Sequence, residues 1–128
     1  MTLPFDAALN RLRDSFLSHH FSRHDQLEVL LDAIRNGSAA ATAAADAEAV
    51  LHKIGGAAGS LGLGDLGQAA SLTENFIRLH LACPEPDFSL ISDAVDAFLD
   101  ISLQVCNPTA WPATRDPAAA HATETTAA

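Results

Sequence analysis

The feature that most limits the fold of this chain is the spacing of its large apolar residues. From Phe5 onward, Leu9, Leu12 and Phe16 recur every three to four positions, and Leu27, Leu30, Leu31 and Ile34 resume the pattern after His19-His20-Phe21-Ser22-Arg23-His24. That spacing lines one face of an α-helix and does not fit the alternation of a strand. No dense cluster of β-branched or aromatic residues occurs, Tyr is absent and Ala is abundant, so the chain reads as all-α. The polar run at residues 19–24 predicts a kink or a change of helix. Asn36-Gly37-Ser38 predicts the stop that follows, because glycine readily takes the left-handed conformation that ends helices. Further helices are expected over residues 42–61, 65–82 and 87–105, with Cys83-Pro84-Glu85-Pro86 as a break and Asp87 as an N-cap. Short connections between such segments imply an antiparallel four-helix bundle with an additional N-terminal helix, over residues 1–106. Residues 107–128, NPTAWPATRDPAAAHATETTAA, are poor in large apolar side chains and are expected to form a disordered Ala/Thr/Pro-rich tail.

Charge and motif content narrow the function. Only 7 Lys and Arg face 16 Asp and Glu, for a formal charge of −9, which argues against nucleic acid as a partner. No apolar run reaches the roughly 18 residues of a membrane span, and MTLPFDAALNRLRD lacks the order of a secretory signal, so a cytoplasmic, membrane-free monomer is expected. Cys83 and Cys106 fall in no metal or redox pattern and are expected to be reduced. His20 and His24 have the i,i+4 spacing of zinc ligands, but no HExxH or third ligand accompanies them, and a solvated face is expected instead. Gly62-Leu63-Gly64-Asp65-Leu66-Gly67 spells GxGxxG without a preceding strand, and GGAAGSLG lacks the GK[ST] ending of a phosphate-binding loop. Neither supports a nucleotide site or a kinase activity, and no metal site or cofactor is expected.

The stretch LHKIGGAAGSLGL, residues 51–63, carries the functional signal. Gly55, Gly56 and Gly59 sit inside an expected helix, where each glycine costs about 1 kcal/mol relative to alanine. On a helical wheel Ala47, Val50, Leu51, Ile54, Ala58 and Leu61 share one face, while His52, Gly55, Gly56, Gly59 and Leu63 share the other. His52 therefore points to solvent, over a surface stripped of side chains at the positions that would crowd its ring. Clearance for the close approach of another protein explains why the helix tolerates these glycines.

At these residues the sequence resembles the histidine-containing phosphotransfer (HPt) domain family. The pattern is His52, the apolar Ile54, Gly56, the small Ala57-Ala58-Gly59 and Gly62, continuing into Leu66, Ala70 and Glu74. The resemblance implies a four-helix bundle whose exposed histidine exchanges a phosphoryl group with an aspartate of a response-regulator receiver domain, fed by a hybrid sensor histidine kinase. It implies His52 as phosphoacceptor and Glu74 as the group that holds Nδ1 and leaves Nε2 to react. Many members carry lysine three residues after the histidine, where this chain has Gly55, so Lys53 and Arg78 are the candidates for the missing cation. Arg78 lies one turn beyond Glu74, on the same helical face. The magnesium needed for transfer is expected on the receiver. Gly55, Gly56, Gly59 and Leu63 are expected to meet the partner. A binding-only adaptor, which docks a receiver or kinase without phosphotransfer, is the alternative that Gly55 keeps open.

Overall fold

The computed structural model describes residues 4–37 and 39–105, and these form four helices: α1 Pro4–Asn36, α2 Ala40–Ser60, α3 Gly64–Leu81 and α4 Phe88–Val105. No strand occurs among the described residues. Helix α2 packs most extensively on α3, α1 lies against α2 and α4, and α3 against α4, so the helices ring a core in chain order. From Phe16 onward the apolar stripes face inward. Leu27, Leu31 and Ile34 of α1 meet Ala47, Val50, Leu51, Ile54 and Ala58 of α2, Leu66, Ala70 and Ile77 of α3, and Ile91, Val95, Phe98 and Leu99 of α4. Fully burying one such Leu, Ile or Phe side chain is worth about 1.5–3 kcal/mol, and this shared core holds the helices together.

Local chemistry sets the helix ends. Gly37 takes φ 73° just past α1, and its amide donates to the Ile34 carbonyl at 3.2 Å. Gly62 takes φ 78° between α2 and α3. Asp87 caps α4, its Oδ1 accepting the amides of Ser89 at 3.0 Å and Leu90 at 3.2 Å. The tail expected over residues 107–128 and the Cys106 thiol lie outside the described residues. Cys83 is exposed just after α3.

Two expectations fail at the same place. Helix α1 runs unbroken from Pro4 to Asn36, so the additional N-terminal helix is not a separate element but the first turns of α1. His20 and His24 do not form a solvated face, since both are buried. The two failures have one cause. The histidines fill the gap between Phe16 and Leu27 at helical spacing, so the inward stripe continues through the polar run instead of stopping at it. At about 1.5 Å per residue, the helix of 33 residues outruns the 21 of α2, and Phe5 stays exposed on its first turn.

The buried histidines are tied across the α1–α4 seam through Ser102. His24 Nε2–H donates to the Glu28 carboxylate at 2.9 Å. In neutral His24, Nδ1 is then an acceptor, and it takes the Ser102 hydroxyl proton at 2.9 Å. Ser102 Oγ accepts in turn from His20 Nε2–H at 2.8 Å. His20 stacks on Phe16, and its Nδ1 is buried with no hydrogen-bond partner among the described residues. Burial pushes the His20 imidazole below the ordinary histidine value; a hydrogen bond with the Ser102 carbonyl opposes this, and the charge of Arg23, with that of His24 when its ring is protonated, adds to the lowering.

A depressed histidine fixes the sign of a pH effect. As pH falls below about 6.5, the unfolded chain protonates residue 20 while the folded chain resists, so His20's contribution is complete above that pH and drains away below it. Urea unfolding should show stability falling between about pH 7 and pH 5.5, by at most about 1.4 kcal/mol per unit from this group. His20→Gln, which keeps a donor for Ser102 but does not titrate, should flatten that slope.

Candidate functional site

The Ala-rich first half of α2, AATAAADAEAV, has high helix propensity and carries the helix into the glycine segment. His52 stands on it with its side chain 77% exposed, on the face away from the core. Its Nδ1 lies 3.0 Å from Glu74 Oε2 on α3. A carboxylate only accepts, so Nδ1 carries a proton, and in the neutral ring Nε2 presents a lone pair to solvent. The Glu74 side chain is only 12% exposed. It is fixed from a second side, because Arg78 Nη2 donates to the same Oε2 at 2.8 Å.

Arg78 is held at all three of its nitrogens. Its Nε donates to Glu48 Oε2 on α2 at 3.2 Å and its Nη1 to Asn75 Oδ1 at 2.9 Å. The structure thus joins His52, Glu74 and Arg78 and adds Glu48 and Asn75, which sequence reasoning passed over. Glu48 had a legible signal, since it lies one helical turn before His52 on the same face. Lys53, adjacent to His52, is exposed and makes no ion pair among the described residues. Among those residues no three His, Cys, Asp or Glu side chains are grouped to hold a metal ion.

The glycine face divides in two. A Cβ on Gly56 or Gly59 would meet nothing within 4 Å, so both leave open surface beyond His52. Gly55, expected on that open face, turns toward α3: a Cβ there would lie 3.2 Å from Ser71 Oγ and 3.5 Å from the Gly67 carbonyl. Gly67 answers it, since its own Cβ would lie 3.4 Å from both the Gly55 carbonyl and the Gly59 amide nitrogen. These two glycines let α2 and α3 approach backbone to backbone. Leu63, also expected on the partner face, is buried, because α2 ends at Ser60 and the wheel no longer applies beyond it.

The contacts form an antiparallel ladder. Each step along α2, from Glu48 to His52 to Gly55 to Gly59, is matched by an equal step back along α3, from Arg78 to Glu74 to Ser71 to Gly67. One register therefore sets both the glycine contact and the His52–Glu74 hydrogen bond.

Residues 11–101 match the sequence model of the Hpt domain family. No curated protein and no solved structure matches the chain.

The division of the glycines predicts opposite effects on stability. Gly56→Ala and Gly59→Ala should each stabilise by up to about 1 kcal/mol, the helix-propensity difference, because the added methyl meets open space. Gly67→Leu should destabilise by about 1–3 kcal/mol, as overpacking forces the backbones apart. Denaturant unfolding of the three variants checks both signs.

Proposed function

Because the chain belongs to the Hpt domain family, whose role is phosphotransfer in two-component signalling with response regulators and kinases, we propose that His52 is its phosphoacceptor. The reading has the protein as a cytoplasmic monomer that takes a phosphoryl group from the receiver domain of a hybrid sensor kinase and passes it to a second receiver. The observation that carries it is the orientation of one ring: Nδ1–H is committed to Glu74, and Nε2 stands free on an exposed surface.

The chemistry follows from that proton. The Nε2 lone pair attacks the phosphorus of a receiver phosphoaspartate in line, the N–P bond forms, and the P–O bond to the aspartate breaks as its carboxylate leaves. Nδ1 keeps its proton, so the phosphorylated ring is cationic, and the Glu74 carboxylate lies against that charge. A cationic imidazole is also a good leaving group, and the same geometry serves return transfer. Magnesium held by the receiver's acidic site would neutralise the phosphoryl oxygens, and exposed Lys53 is the cation of this chain available beside them. Arg78, expected to share that task, instead places one donor from each of its three nitrogens on Glu48, Asn75 and Glu74. The receiver would approach over Gly56 and Gly59 and the groove between α1 and α2 lined by Leu12, His19, Arg23, Ala57 and Ser60.

Incubation with a phosphorylated receiver should move label onto the protein as an acid-labile, base-stable phosphohistidine. His52→Gln should abolish that transfer with unchanged helicity, because the ring makes no core contact. Receiver binding without label on the wild-type protein would establish the adaptor role instead.

A further inference from the structure

We infer that Glu48 is a positioning residue for His52, acting through Arg78; this rests on the reading of His52 as phosphoacceptor. The hydrogen bonds form a closed loop between two helices. His52 on α2 donates to Glu74 on α3, Arg78 one turn further on α3 donates to the same Glu74 oxygen, and Arg78 reaches back to Glu48 on α2. Of the three groups that hold Arg78, Asn75 and Glu74 belong to its own helix. Glu48 alone refers the guanidinium to the helix that carries the reacting ring.

That link matters because Arg78 is half open to solvent. Its side chain is 54% exposed, and its bond to the largely buried Glu74, made within one helix, does not by itself fix where the guanidinium lies against α2. Planar guanidinium donors held from three sides are fixed in a way that a single pair is not. Fixing Arg78 fixes Glu74 Oε2, and Glu74 Oε2 decides which ring nitrogen of His52 keeps the proton. Glu48 also keeps the guanidinium paired along the seam between the helices. Loss of Glu48 leaves His52, Glu74 and Arg78 all present, but frees the carboxylate to rotate and the ring to take its proton on Nε2, the wrong atom for attack.

The ring itself reports this without any receiver. In the ¹⁵N-resolved spectrum of the unphosphorylated wild-type protein, above the pH at which the ring titrates, His52 should be chiefly the Nδ1–H tautomer. In Glu48→Ala the tautomer balance should move toward Nε2–H, and single-turnover transfer from a phosphorylated receiver should slow about threefold to fivefold, near the most that a part-exposed ion pair sustains. Glu48→Gln, which keeps an acceptor at the same reach, should restore most of the tautomer balance. In Arg78→Met, adding Glu48→Ala should cause no further change, since the route through Arg78 is already cut. Helix propensity favours alanine at residue 48, so Glu48→Ala should keep its fold. An unchanged tautomer balance in Glu48→Ala, or full additivity with Arg78→Met, overturns the inference. A wild-type protein that shows the Nδ1–H tautomer but takes no label overturns the phosphoacceptor reading, a result distinct from either of these.

Discussion

The backbone contact between Gly55 and Gly67 is the constraint on which the site depends. A side chain larger than a methyl at Gly67 would press on the Gly55 carbonyl and the Gly59 amide and push α2 and α3 apart, and the distance so gained would appear about two turns away, between His52 and Glu74. The hydrogen bond there spans 3.0 Å, and N–H···O bonds lose their value within a few tenths of an ångström of that length. The seam is therefore close at the glycines and polar where the ring stands. Two residues without side chains set the spacing at which His52 meets Glu74.

Much of the fold was legible because it follows from single-helix patterns. The helix stop at Gly37, the cap at Asp87 and the inward face of α2 all depend on residues within a few turns of each other. What could not be read depended on register between helices. His20 and His24 look polar in isolation, yet their positions continue the stripe from Phe16 to Leu27, and a serine on α4 satisfies them. Position in the stripe outranked polarity.

The site divides along the same line. The exposure of His52 and the openness at Gly56 and Gly59 followed from one helical wheel. The inward turn of Gly55, the burial of Leu63 and the partners of Arg78 required knowing what α3 presents and where α2 ends. Glu48 shows the limit best: its spacing to His52 was visible in the sequence, but its meaning comes from an arginine thirty positions away.

The exposure of the His52 ring has a temporal consequence. Among the described residues nothing covers this side chain, which is 77% open to solvent. Under the phosphotransfer reading, the longest time a phosphoryl group can wait there is the hydrolytic lifetime of a phosphorus–nitrogen bond in water, a clock that the protein carries but does not wind. Storage is thereby bounded by chemistry, while throughput is left to the abundance of partners. A bundle built this way transmits the ratio of donor to acceptor around it and keeps little memory of what that ratio was before.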